Sequence, residues 1–295
     1  MSEHAPGARS AADEPPSPHR PPEPLRTATT PASAVRDALV LGRRNLLRVI
    51  RLPQVLAFAT VQPVMFLILF TFVFGGAIQG SIPPAAGGRY INWLVPGLMV
   101  QVATFGSGQT AIGLTEDLSK GVVDRFRSLP MARSAVLAGR TGADLVRSAM
   151  VIGLMVVVGA LLGFRYQTDP LRFLAGFALV LAFSHALSWV MATIGLVVRT
   201  PEAVQTAVFL PVFPLVFASS VFLPTTTMPP WLRAFADHQP ITAVTNALRG
   251  LMLGPGALPV GLTLSSQVLL ALAWIAGLLV VFAPLAIRAY RRAIT

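Results

Sequence analysis

Long apolar runs alternate with short basic clusters along this chain. A run of roughly 18–20 apolar residues is enough to cross a bilayer as a helix. On that measure the pattern predicts spans over 55–76, 92–114, 147–164, 172–198, 203–223 and 266–287. The fifth run carries Pro211 and Pro214, so a kinked helix facing other helices is expected there. Gly106 and Gly108 in the second run, and Gly159 and Gly163 in the third, read as small residues that let helices approach closely.

Between the second and third runs the pattern changes. Glu116, Asp117, Lys120, Asp124, Arg125, Arg127, Arg133 and Arg140 crowd into one polar loop over 115–140. Within it Leu118, Val122, Phe126 and Leu129 recur at helical spacing, and Pro130 ends the stretch. A short amphipathic helix over 116–129 is expected, strung between two spans. The i, i+4 pairs Glu116/Lys120 and Lys120/Asp124 stiffen such a helix modestly, and a plain solvated face is the bland alternative.

Two other stretches depart from the spanning pattern. Over 33–52, Val35, Leu39, Gly42, Leu46 and Val49 form one stripe, with Arg36, Arg43, Arg44, Arg48 and Arg51 on the remainder and Ser33 as N-cap. A basic amphipathic helix just before a span is expected to lie in the headgroup plane; the alternative is a cytosolic helix with a solvated face. Over 224–262 the chain is too apolar for an ordinary loop. Trp231, Leu232 and Phe235 make one short apolar face. Ile241, Val244, Thr245 and Leu248 make another, with Asn246 and Arg249 off to its side. Pieces of this length cover about half a bilayer. A re-entrant helical hairpin is expected, and two helices lying flat on the surface are the alternative. Residues 1–32 are rich in proline and poor in core-forming residues, and are expected to be a disordered tail.

Composition sharpens this reading. The chain is 54% hydrophobic and only 12% charged, about half the charge fraction of a soluble domain. Its net charge of +11 does not point to nucleic acid, because the basic residues sit at span ends. Most of them fall on the side holding 33–52, 115–146 and the C-terminus, and that asymmetry puts both termini in the cytoplasm. Residues 53–295 then form one transmembrane domain.

Several chemistries are excluded. The chain has no cysteine, and His185 and His238 stand alone, so no zinc or thiolate site is expected. The glycines at 106 and 108 lack the lysine of a phosphate loop, since the only lysine, Lys120, is followed by Gly121. His185 is the one ionisable group deep in a predicted span. It reads as a neutral side chain bonded to a neighbouring helix, with a functional role as the alternative. Spans this poor in Asp, Glu and His disfavour an ion-coupled carrier. Energy must then enter from outside the bilayer, at the charged loop.

The chain resembles the type-2 ABC exporter permeases of the daunorubicin/doxorubicin-resistance kind. The residues that carry the likeness are Glu116, Lys120-Gly121, Asp124-Arg125-Phe126, Leu129-Pro130, Gly139-Arg140 and Asp144. A second set is Trp231, Phe235, His238-Gln239-Pro240, Arg249 and Gly254. The resemblance implies an all-α integral membrane fold. It would have six transmembrane helices, an N-terminal amphipathic interfacial helix, a cytoplasmic coupling helix and an extracellular re-entrant helical hairpin. It implies an ATPase-coupling site at Glu116, Lys120, Gly121, Asp124, Arg125, Phe126, Arg127 and Pro130. It implies a multi-pass protein of a bacterial inner membrane that exports a hydrophobic or amphipathic compound, such as a drug, antibiotic or lipid. The expected partners are an ABC ATPase subunit, a second permease as homodimer or paralogous heterodimer, and membrane lipids. No cofactor is expected on this chain, because ATP-Mg would be bound by the ATPase. The rival from another class is a non-transporting membrane scaffold or anchor for a cytoplasmic partner.

Overall fold

The structure, a computed structural model, describes residues 53–83, 88–119, 133–198 and 200–294. All regular structure among them is helical. The basic helix expected at 33–52, with Arg36, Arg43, Arg44, Arg48 and Arg51, lies outside the described residues, as does the tail at 1–32.

Helix α1 (Pro53–Leu69) passes into a π-helical turn, Phe70–Phe74, and then into the short α2 (Gly75–Ile78). Next come α3 (Tyr90–Ser119), α4 (Arg133–Leu161), α5 (Pro170–Val197) and α6 (Pro201–Phe217). Two shorter helices, α7 (Pro230–His238) and α8 (Pro240–Leu253), precede the long α9 (Leu264–Ile294). Among the described residues, four helical stretches are long and apolar enough to cross a membrane: Thr60–Ile78, Gly139–Leu161, Pro170–Val197 and Leu264–Arg292. Helix α6 is apolar but shorter.

Helix α3 is the axis of the bundle. It packs against α4, α5, α6 and α8, and every residue from Tyr90 to Thr104 is buried. That position explains its composition. Asn92, Gln101, Thr104, Ser107, Thr110 and Thr115 are all buried polar residues on α3. A helix wrapped in protein can satisfy such groups, whereas a lipid-facing helix cannot. Thr104 and Ser107, for example, return their hydroxyls to the carbonyls of Val100 and Thr104 at 2.7 Å each. Apolar faces turned outward include those of α1 and the π-helical turn after it, α6 and α9, where Met65, Phe72, Leu210, Leu269 and Val280 are exposed.

Several boundaries differ from the sequence reading, each for a visible reason. Helix α4 starts at Arg133, not 147, so Arg140, Asp144 and Arg147 stand on the helix and not in the loop before it. The fifth apolar run ends as a helix at Phe217. Pro211 and Pro214 are accommodated inside α6, and the chain then turns through 218–223. Gly159 does pack closely, a Cβ there lying 3.2 Å from Val95. Gly163 instead ends α4 with φ of +107°. The Phe164 amide donates to the Gly159 carbonyl at 2.8 Å and the Gly163 amide to Ala160 at 3.3 Å. This is the paired closure by which a left-handed glycine terminates a helix. His185 accepts within its own helix from Trp189 Nε1, one turn on, at 3.2 Å, and it also meets the Thr141 backbone of the neighbouring α4.

Candidate coupling site

Helices α3 and α4 run antiparallel on either side of 120–132, and three polar rungs join them. Nearest the loop, Arg140 donates to Asp117 in an ion pair. Two turns further along α3, Thr110 Oγ1 donates to Asp144 Oδ2 at 2.6 Å. One turn beyond, Arg147 Nη2 donates to the Gly106 carbonyl at 2.6 Å, and its Nε lies 3.7 Å from Asp144 Oδ1. The rungs advance by about one turn of α4 each time, so they share one face of that helix. Gly113 supplies the room, because a Cβ there would run into the Arg140 guanidinium.

The same end of the bundle is tied to α5 and α9. Thr115 Oγ1 donates to the carbonyls of Ala111 at 3.0 Å and Gly195 at 2.8 Å. Gly195 permits that approach, since a Cβ there would lie 2.6 Å from the Ala111 oxygen. Beneath sits a small separate core of Leu114, Leu137, Trp189, Ala192, Leu196, Ala286 and Tyr290. Four helices are thereby locked into one block at the loop. Glu116 stands half-buried in the last turns of α3, not on a separate helix. Lys120, Gly121, Asp124, Arg125, Phe126, Arg127 and Pro130 lie outside the described residues.

A second polar constellation sits at the opposite end of α3. Where α6 breaks, the Ala218 amide still closes on the Pro214 carbonyl at 2.8 Å, but the carbonyls of 218 and 220–222 are taken up by side chains. Gln239 Nε2 donates to the Ala218 carbonyl. Arg249 Nη2 donates to Ser220 at 2.6 Å and Val221 at 3.1 Å. Tyr90 Oη donates to Phe222 at 2.8 Å, and the Ser220 amide donates to Thr242 Oγ1 at 3.2 Å. Arg249 also donates from Nε to the Trp93 carbonyl at 3.1 Å, and its guanidinium lies 3.2 Å from the Trp93 ring centre. It is 1% exposed. A buried cation without a carboxylate is tolerated here because carbonyl dipoles and an aromatic face surround it. Gly97 completes the fit, as a Cβ there would collide with the Val221 carbonyl.

Of the residues expected in the hairpin, Gln239, Pro240 and Arg249 meet in this joint, with Pro240 opening α8. Trp231, Phe235 and His238 do not. Trp231 is 74% exposed and Phe235 49% on the outer face of α7. His238 Nδ1 pairs only with the Ala234 carbonyl at 2.8 Å in the last turn of α7.

Known proteins share this sequence pattern. The family model of the ABC-2 type transporters matches residues 36–253, which include the loop, the rungs and the Arg249 joint. The chain is 34% identical over 261 residues to the daunorubicin resistance ABC transporter permease protein DrrB1 of Streptomyces coeruleorubidus, covering 88% of each. The chain belongs to the ABC-2 type transporter family.

More distant members are matched over most of their length as well. The probable doxorubicin resistance ABC transporter permease protein DrrC of Mycobacterium tuberculosis is 30% identical over 80% of this chain and 82% of its own. The inner membrane transport permease YadH of Escherichia coli K12 is 23% identical over 72% of this chain and 83% of its own. As an ABC-2 member the chain is the membrane permease component of a transporter. The sequence singled out Arg249 for the hairpin but set it, with Asn246, beside an apolar face, and so missed that it is buried on the backbone of 218–222 and Trp93. The available signal was the recurrence of Gln239, Thr242, Asn246 and Arg249 at helical spacing.

Proposed function

We propose that this permease is the passage of an ATP-driven exporter and takes its power through residues 115–140. The observation that carries this reading is the three-rung junction of α3 and α4 on either side of the loop. A load applied to 120–132 reaches both helices together, and through Thr115 it reaches α5. A loop hung between two free helices would bend and dissipate the same load. A separate ABC ATPase subunit binds and hydrolyses ATP-Mg, seating against Glu116, Lys120, Gly121, Asp124, Arg125, Phe126, Arg127 and Pro130.

In this reading the chain crosses the membrane six times, through the stretches centred on α1, α3, α4, α5, α6 and α9. Both termini and the coupling loop are cytoplasmic, as the arginine distribution favours. Helices α7 and α8 form an outer hairpin, with Trp231 and Phe235 at the lipid–water boundary, where aromatic side chains concentrate. The exposed apolar faces of α1 and α6 meet a second permease, of the same or a paralogous kind. The cargo is hydrophobic or amphipathic. The relatives named for daunorubicin and doxorubicin resistance support a drug-like compound.

The test is reconstitution with the cognate ATPase. Charge reversal at Glu116 or Arg125 is expected to leave a folded, monodisperse permease and to abolish cargo efflux. Full ATP-dependent efflux in those variants would place the socket elsewhere. A permease that binds the ATPase but moves nothing under any condition would favour the scaffold reading.

A further inference from the structure

Between α1, α3 and α4 lies a cavity of about 460 Å³. It sits mid-way along α3, away from both the loop and the Arg249 joint. Its volume is within the roughly 300–1,000 Å³ range of sites for drug-sized molecules. The walls are unusual for a membrane bundle. Gln62, Gln101 and Gln109 face it from two helices, with Arg147 and Ser148 from the third and Phe105 as the aromatic wall.

Gln101 gives the cavity its chemistry. The residue is 3% exposed, and its Oε1 is buried with no hydrogen-bond partner. A buried acceptor left unpaired carries a desolvation cost that nothing in the protein offsets. At a cavity wall this cost is removed by any entrant that brings a donor. Arg147 has the opposite character, with further N–H groups beyond those engaged by Gly106 and Asp144. Because Asp144 offsets its charge, the site offers little to a lone ion. It offers a neutral acceptor, N–H donors and a flat apolar wall.

We infer that this cavity is a binding site for an amphipathic ring compound carrying a neutral hydroxyl and a carbonyl. The hydroxyl donates to Gln101 Oε1, the carbonyl accepts from Arg147, and the ring lies against Phe105. Calling this compound cargo rests on the exporter reading; the binding itself does not.

The test uses the full-length permease in lipid nanodiscs without an ATPase, and equilibrium dialysis at mildly acidic pH. The probes are anthraflavic acid, a ring diketone with two free hydroxyls, and anthraquinone, which lacks them. Wild type is expected to bind anthraflavic acid saturably and more tightly than anthraquinone. Gln101→Leu is expected to weaken anthraflavic acid about tenfold, the worth of one neutral hydrogen bond, and to leave anthraquinone unchanged. Gln62→Trp, at the exposed rim, is expected to abolish binding of both. No saturable binding to wild type, an equal loss of both probes in Gln101→Leu, or unaltered binding in Gln62→Trp would each overturn the proposal. If Gln101→Leu does not yield monodisperse protein, Gln62→Trp alone decides. Intact ATP-driven efflux without cavity binding defeats only this site, whereas intact binding without efflux counts against the exporter reading.

Discussion

Arg249 shows how much one side chain carries in this bundle. It closes two carbonyls left open by the break in α6, a third on α3, and stacks on Trp93. Arg249→Met keeps the length and apolar bulk but leaves three buried carbonyls unpaired. At about 1 kcal/mol or more for each, a loss near 3 kcal/mol or greater is expected. It would be read as a lowered unfolding midpoint in detergent. A midpoint equal to wild type would contradict the assigned role. Gly97→Ala tests the same joint from the backbone side, because the Val221 carbonyl occupies the space a methyl would need. Overpacking against main chain is expected to cost about 1–3 kcal/mol. Neither effect was legible from residue type alone. An arginine in an apolar stretch reads as a solvent-facing residue until its partners are known, and those partners are backbone oxygens far away in sequence.

Helices were more legible than their ends. Apolar runs of spanning length located α1, α4, α5 and α9, because hydrophobic length is a direct consequence of bilayer thickness; α3, also read as a span, is long but carries too many buried polar residues to stand with those four. Their termini followed local rules that a run of apolar residues does not encode. Helix α4 extends outward to Arg133 because Arg140, Asp144 and Arg147 find partners on α3. Helix α6 stops at Phe217 because side chains of α3 and α8 replace its missing backbone bonds. The α3–α4 junction yields a prediction at this scale. Asp117→Arg and Arg140→Asp are each expected to lower ATP-driven efflux about fivefold or more, a typical coupling energy between sites. The pair is partly exposed and so screened by solvent, and unfolding midpoints should move less than efflux does. The double reversal is expected to recover efflux in part. Equal efflux in both single variants and wild type would remove the junction from the coupling path.

At the scale of the molecule, the fold separates a polar axis from an apolar surface. Helix α3 holds the buried polar groups, and α1, α6 and α9 present hydrocarbon outward. Charge asymmetry along the sequence predicted which end faces the cytoplasm, and the absence of cysteine makes that testable without a background. Ser119→Cys, at the exposed end of α3, is expected to resist a membrane-impermeant maleimide on intact cells and to react once they are opened. Trp231→Cys is expected to react in both. Labelling of both positions from one side would refute the six-span arrangement. The source of power is the deepest property, and the chain carries no nucleotide-binding lysine of its own. Its most direct test is cargo uptake into inside-out proteoliposomes holding the permease with, and without, an ABC ATPase subunit. Accumulation against a gradient is predicted only when the ATPase and ATP-Mg are both present. Uphill accumulation by the permease alone would contradict the account.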